Sequence, residues 1–110
     1  TMQQVMRNAL ADAKLNPDQI DYISGHGTAT LHGDIAESLA TENVMGNNIP
    51  FSSIKSYIGH SLGACGSLEA WTGIEMMREN WFAPNLNLDE IDPNCGQLDY
   101  IRHEPREVNA

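Results

Sequence analysis

The order of the predicted elements indicates an α/β fold. Three segments with apolar residues at helical spacing alternate with three short runs that are rich in apolar and β-branched residues. Such an alternation of helix and strand is typical of α/β proteins. The chain has 110 residues, of which 41% are hydrophobic, and this is enough for one domain, or part of one, with a modest core.

The first predicted elements are a helix and a short strand. Residues 2–14 place apolar side chains at helical spacing and predict an amphipathic helix, whose apolar positions are Val5, Met6, Ala9, Leu10 and Ala13. The turn-forming residues 16–18 end this helix. Residues 20–24 are apolar and β-branched at alternating positions, and they predict a strand.

A loop, a helix and a second strand follow. Residues 26–33 predict a loop, and residues 34–45 predict a helix with Gly46 as its C-cap. Residues 49–54 predict the second strand. Pro50 indicates that this strand begins late or lies at an edge of its sheet, because proline cannot donate a ladder hydrogen bond.

The second half is dominated by a long helix. The glycine-rich residues 59–66 lead into a helix over about 62–78, whose apolar side chains surround most of its circumference: Leu68, Ala70, Trp71, Ile74, Met76 and Met77. A helix of this kind is predicted to be buried rather than half-exposed. A last strand is predicted around residues 98–101.

Charge and composition exclude several classes of protein. The formal net charge of −9 argues against partners that select for basic patches, namely nucleic acids and anionic membranes. The longest stretch without a charged residue, 56–68, is too short and too glycine-rich to span a bilayer. No signal-peptide pattern is present at the start, and two cysteines do not make a disulfide framework. A cytoplasmic setting is therefore expected. Both ends interrupt a pattern, which indicates a piece of a larger enzyme.

Two histidines are the leading candidates for chemistry. His26 and His60 each lie beside a glycine at a predicted chain corner, where functional side chains concentrate. His60 precedes a helix N-terminus, which favours developing negative charge, so its imidazole could donate a hydrogen bond to an oxyanion. The hydroxyls of Thr28 and Thr30 face one ligand side. Taken alone, each histidine could equally be a structural cap, and the threonines could satisfy loop amides.

Lys55 and Glu69 are predicted to form a pair. Glu69 lies inside an apolar helix, where an unpaired carboxylate would be costly. Lys55 is the nearest candidate cation, because it follows a predicted strand. The pair could be structural, or could also form part of a site.

Other motifs support weaker alternatives. Residues 59–63 match the Gly-x-Ser-x-Gly pattern of serine hydrolases, with Ser61 as the nucleophile and with Asp89 or Asp92 and His103 completing a triad. The spans leave no room for the strands of a hydrolase sheet. The spacing of His26, His32 and His60 matches no zinc pattern, so no metal is predicted. Cys65 is predicted to pack in the helix, and Cys95 to be structural.

Two ordered signatures resemble those of the beta-ketoacyl-acyl-carrier-protein synthases, which are condensing enzymes of the thiolase superfamily. The signature His-Gly-Thr-x-Thr-x-x-x-Asp-x-x-Glu is carried by His26, Gly27, Thr28, Thr30, Asp34 and Glu37. The signature Lys-Ser-x-x-Gly-His-x-x-Gly-Ala-x-Gly-x-x-Glu is carried by Lys55, Ser56, Gly59, His60, Gly63, Ala64, Gly66 and Glu69. A weaker similarity covers 84–87. The chain departs from the family at three positions: Leu31 replaces a common proline, His32 a common leucine and Cys65 a common alanine.

The resemblance implies that residues 1–110 are the C-terminal half of a thiolase-like domain, with layered helices and a mixed sheet, and without the N-terminal half and final strands of that domain. It implies decarboxylative Claisen condensation of an acyl thioester with malonyl-ACP in fatty acid or polyketide synthesis. His26 and His60 would hold the enolate oxygen, Lys55 would order the site with support from Glu69, and Thr28 and Thr30 would bind pantetheine.

The resemblance also implies partners and limits. No cofactor is expected beyond the phosphopantetheine of the acyl carrier protein, and the complete enzyme is expected to be a homodimer. The acyl-accepting cysteine of the family lies in the N-terminal half, so neither Cys65 nor Cys95 takes that role, and the isolated residues are expected to be inactive. A non-catalytic, chain-length-factor-like subunit is the main alternative, although the retained histidines and lysine argue against it.

Overall fold

The computed structural model describes all 110 residues. Nine helices and strands follow one another along the chain, and we number each kind in order: α1 (Met2–Ala13), β1 (Ile23–Ser24), α2 (Leu31–Met45), β2 (Pro50–Ser52), α3 (Lys55–Ile58), α4 (Cys65–Glu79), β3 (Trp81–Phe82), β4 (Asp99–Tyr100) and β5 (Arg106–Glu107). Single 3-10 turns lie at Pro17–Gln19 and Leu62–Ala64. None of the helices is long and apolar enough to cross a membrane.

Two small sheets organise the chain. The first is parallel and has the order β1-β2-β4, with Ile23 opposite Phe51 and Phe51 opposite Tyr100. The second is an antiparallel pair of β3 and β5. Helices alternate with the parallel strands, so the predicted α/β class with mixed strand directions is confirmed.

The strands correct the sequence prediction in length and position. Each strand has only two or three residues, so the predicted strands over 20–24, 49–54 and 98–101 were too long. Of the two alternatives that Pro50 indicated, the edge position is wrong, because β2 is the central strand of its sheet, whereas the late start is confirmed, because β2 begins at Pro50 and not at Ile49. Pro50 is the first residue of β2, a position at which proline is tolerated within a sheet.

Helix bounds are closer to the prediction. Helix α1 matches its predicted span within one residue, whereas α2 begins at Leu31 and not at Asp34, so part of the predicted loop is helical. The prediction missed α3, since four residues are too few to show a helical period. The predicted helix over 62–78 is a 3-10 turn followed by α4.

The predicted burial of the long helix is wrong for this chain. Only Cys65 and Met76 of α4 are buried, and Trp71 keeps 63% of its surface exposed. The core lies instead where Met76 packs against Phe82 and Ile101. The apolar side chains around α4 favour burial, but in these 110 residues no element covers the outer face of this helix.

Candidate functional site

The candidate site lies where two parallel strands end. His26 follows β1 after one glycine, and Lys55 begins α3 three residues after the end of β2. Because β1 and β2 are parallel neighbours, their carboxyl ends lie at the same edge of the sheet. A Cβ at Gly25 would overlap the ring of Phe51, so this chain corner requires glycine.

Glu37 holds the loop that carries His26. One carboxylate oxygen accepts a hydrogen bond from the backbone N–H of His26 at 2.7 Å, and the other accepts from the N–H of Gly27 at 3.0 Å. Gly27 has a φ of 43°, so the backbone is in a left-handed conformation where Glu37 binds it. We call these two hydrogen bonds the Glu37 clamp. Sequence reasoning included Glu37 in a signature but gave it no role. Its signal was a carboxylate placed beyond a glycine-containing loop.

The predicted contact between Lys55 and Glu69 is confirmed. The Nζ of Lys55 forms an ion pair with Oε1 of Glu69, and these side chains are only 5% and 17% exposed. The same Nζ lies 3.3 Å from Nδ1 of His26. Lysine can only donate, so Nδ1 of His26 accepts, and the neutral ring then carries its proton on Nε2.

His60 is fixed in a similar way. Its Nδ1 accepts a hydrogen bond from the backbone N–H of Leu62 at 3.0 Å, and lies 3.2 Å from the Sγ of Cys65. An acceptor at Nδ1 places the proton of the neutral ring on Nε2. Both imidazoles therefore keep their Nε2–H groups for a ligand. The contact between Cys65 and His60 was missed, because burial of Cys65 was predicted as packing alone.

The two rings come together as the sequence predicted. The ring centroids of His26 and His60 are 5.4 Å apart, and the rings meet edge to face at 88°. Both side chains are exposed in this chain, so their Nε2–H groups are accessible. Two neutral donors and one buried cation within this small space suit the stabilisation of negative charge on an oxygen atom.

Two adjoining clefts surround the histidines. The larger, of about 770 Å³, is lined among others by Thr28, Thr30, Lys55 and His60. His26 lines the smaller, of about 420 Å³, and Thr28 borders both. The hydroxyls of Thr28 and Thr30 lie 3.1 Å from each other, so both face one space.

A carboxylate also lines both clefts. Burial, followed by the negative charge of Glu37, raises the pKa of Asp34. Asp34 lies in the first turn of α2, between the loop of His26 and the Glu37 clamp. The wall of the clefts therefore holds one carboxyl group that is easier to protonate than an ordinary aspartate.

Other predicted residues are not brought together. The hydroxyl of Ser61 donates to Sγ of Cys65 at 3.5 Å, and no histidine nitrogen accepts a hydrogen bond from it. His103 is exposed in the turn before β5, so the hydrolase triad is not assembled. His32 is exposed on α2, and no group of three or more metal-ligating side chains is close enough to hold an ion.

Asn85 is a second residue that sequence reasoning left without a role. Its side chain accepts from the backbone N–H of Ser53 at 2.8 Å and donates to the carbonyls of Phe51 and Ile101. These contacts tie the end of β2 to the strand region beside it, just before Lys55. Asparagine can donate and accept at the same time, which is what this junction requires.

Comparison with known proteins identifies the family. Residues 1–89 match the family model of the beta-ketoacyl synthase C-terminal domain, and the chain belongs to this family. It is 39% identical over 106 residues to 3-oxoacyl-[acyl-carrier-protein] synthase 2 of Coxiella burnetii. That match covers 94% of this chain and 25% of the relative, so the chain spans about a quarter of the length of the relatives it matches.

Solved structures confirm the thiolase-like fold. A beta-ketoacyl synthase from Burkholderia phymatum superimposes with a TM-score of 0.98 at 57% identity, over 99% of this chain and 27% of that one. A type II polyketide ketosynthase in complex with its acyl-carrier protein superimposes with a TM-score of 0.92 at 34% identity, over the same shares of the two chains. The family that the two signatures indicated is therefore confirmed.

Proposed function

We propose that this chain supplies the decarboxylation part of the active site of a 3-oxoacyl-[acyl-carrier-protein] synthase. The observation that carries the proposal is the pair of imidazoles, 5.4 Å apart, with both Nδ1 atoms engaged and both Nε2–H groups free. Two signatures at the spacing of the family and the family membership itself add support.

The reaction is a decarboxylative condensation. The bond between the carboxylate carbon and Cα of malonyl thioester breaks and carbon dioxide leaves. The electron pair of the broken bond stays with Cα and forms an enolate. The Nε2–H groups of His26 and His60 donate to the thioester oxygen as it gains negative charge. Each such donor typically lowers the barrier by about 3–4 kcal/mol. The enolate carbon then attacks the carbonyl carbon of an acyl group that is bound as a thioester to a cysteine, and the thiolate of that cysteine is the leaving group. The cysteine comes from another part of the synthase.

Lys55 acts through its neighbours. Its ammonium group donates to Nδ1 of His26 and so holds the tautomer of that ring, while Glu69 balances the charge of the ammonium. Lys55 removes no proton. Thr28 and Thr30 border the larger cleft and present hydroxyls to the pantetheine arm. The acyl carrier protein delivers that arm, and the complete enzyme is a homodimer.

The alternative of a non-catalytic partner subunit has less support. Such a subunit has no need to fix a tautomer, yet here both histidines are held at Nδ1 and Lys55 is buried with its counter-ion. A serine hydrolase is disfavoured because Ser61 donates to a sulfur atom and has no histidine partner.

The test is malonyl decarboxylation by the intact synthase, followed as release of labelled carbon dioxide from malonyl-ACP. His26→Ala and His60→Ala should each lower kcat by about 10²–10³. His32→Ala is the matched control, since this histidine is exposed on α2, and its rate should equal that of the wild type. A normal rate in either His26→Ala or His60→Ala would remove the proposal.

A further inference from the structure

The thiol of Cys65 touches the proposed catalytic ring of His60. Cys65 is the first residue of α4, and only 8% of its surface is exposed. Its Sγ lies 3.2 Å from Nδ1 of His60, which leaves the other ring nitrogen, Nε2, free of this contact. Ser61 donates its hydroxyl hydrogen to the same Sγ at 3.5 Å.

The hydrogen bonds around the sulfur atom have one consistent direction. The Sγ accepts from Ser61, so the hydrogen of the thiol is free to point at Nδ1 of His60. This nitrogen also accepts from the backbone N–H of Leu62, so the two donors share its single lone pair in a three-centre hydrogen bond. Only the tautomer with its proton on Nε2 can accept from them. The thiol therefore favours the tautomer that the proposed reaction needs.

We infer that Cys65, oriented by Ser61, is a positioning residue that holds the His60 ring with its Nε2–H toward the cleft. The inference rests on the proposed function of His60. It gives a role to Ser61, which the hydrolase pattern had suggested as a nucleophile, and to Cys65, which was predicted only to pack. Leu62 supplies the other donor through its backbone, so losing the thiol should weaken the arrangement without abolishing it.

The experiment compares two substitutions in the intact synthase that differ by one oxygen atom. Cys65→Ala removes the donor, whereas Cys65→Ser keeps a donor of similar size. For malonyl decarboxylation, Cys65→Ala should lower kcat by about three- to tenfold, the effect of losing one weak hydrogen bond in the transition state, and leave KM unchanged. Cys65→Ser should stay within about twofold of the wild type.

A packing role predicts a different order. If Cys65 only filled space, the apolar alanine would be tolerated at least as well as the polar serine at this mostly buried position. Equal rates for both variants, or a higher rate for Cys65→Ala, would overturn the inference. Melting temperatures of the two variants provide the folding control, and the ranking of kcat is read at a temperature well below both.

Ser61 offers a second, coupled measurement. Ser61→Ala should lower kcat by about twofold when Cys65 is present, because the thiol loses the group that orients it. The same substitution should have no effect in the Cys65→Ala background, and equal effects in both backgrounds would contradict the inference. If His60→Ala retains activity, the proposed function fails. If His60→Ala is inactive but Cys65→Ala equals the wild type, only the role of Cys65 fails.

Discussion

The buried ion pair between Lys55 and Glu69 makes Glu69→Gln an informative perturbation. The side chain of Lys55 is 5% exposed, so its charge cannot return to water when its partner becomes neutral. The substitution changes almost no volume. It removes the negative charge but keeps an amide oxygen that can accept a hydrogen bond from Nζ. The variant therefore isolates the charge of Glu69 from its shape.

The expected loss follows from burial and hydrogen bonding. Removing one partner of a buried pair typically costs about 3–5 kcal/mol, because a charge remains in a dry place. A neutral acceptor retains about half of the strength of a charge-assisted hydrogen bond. Glu69→Gln should thus lower the free energy of unfolding by about 2 kcal/mol, and Glu69→Ala by about 3–5 kcal/mol. Both should lower the decarboxylation rate, since Lys55 also donates to His26.

The assay is equilibrium urea unfolding of the intact synthase, followed by far-UV circular dichroism at one fixed protein concentration. Lys55→Met combined with Glu69→Leu is the control, because an apolar pair of similar volume can replace a buried ion pair at little cost. The double variant should regain stability to within about 1 kcal/mol of the wild type. It should remain slow in decarboxylation, because Nδ1 of His26 has lost its donor. An unchanged free energy of unfolding in Glu69→Gln would refute the reasoning.

Two further predictions concern stability. The hydrogen bonds from Arg106 lower the pKa of Asp99, so their stabilisation is present above the ordinary aspartate range near pH 4 and declines as the pH falls through the lowered native value. Both side chains are about one-third exposed or more, so Asp99→Asn should cost less than about 1 kcal/mol at pH 7, and urea unfolding should show this cost declining as the pH is lowered below about 4. A cost at pH 7 no larger than that of Asp21→Asn, an exposed aspartate without an ion pair, would contradict this. Leu31 is the first residue of α2 and follows an extended Thr30, so Leu31→Pro should stabilise the synthase by about 0.4–1 kcal/mol. The control Leu39→Pro, inside the same helix, should cost about 3 kcal/mol. A lower melting temperature in Leu31→Pro would show that the backbone N–H of Leu31 is needed.

Long periodic elements were predictable from the sequence, and short ones were not. Helix α1 and the body of α4 carry enough turns for the helical period to show, and both were found within a few residues. Strands of two or three residues cannot establish an alternation, so their ends and their order in the sheet came only with the structure. The central place of β2 depends on its pairing with β1 and β4, which lie far away along the chain.

Burial was the main error, and it has a physical reason. Apolar side chains around a helix report what that helix favours, but burial requires a second surface to pack against. In this chain only Cys65 and Met76 of α4 are buried. Trp71, Ile74 and Met77 remain about half-exposed or more. A prediction of burial thus needs the tertiary contacts as well as the period.

The charged part of the site was predictable because burial restricts charges more than it restricts apolar groups. Glu69 inside an apolar helix demanded a cation, and Lys55 was correctly identified from that argument. The contacts of Glu37 and Cys65 were not predicted, because each depends on local geometry. Glu37 accepts from two backbone amides, and Cys65 contacts one ring nitrogen. Hydrogen bonds to backbone groups leave no signal in spacing, since every residue type except proline provides the same N–H.

The two histidines are held in the same tautomer by different donors, and the difference follows from where each histidine lies. His26 is on a loop beyond a strand end, and there a side chain that follows the next strand, that of Lys55, supplies the donor to Nδ1. His60 lies just before the turn that leads into α4, where backbone N–H groups have no acceptor of their own, and Leu62 provides one directly. A lysine donor brings a charge that must be neutralised inside the protein, which explains why Glu69 accompanies the first histidine and no carboxylate is needed beside the second. Removing Glu69 should therefore affect the site through His26 and leave the hydrogen bonds of His60 intact.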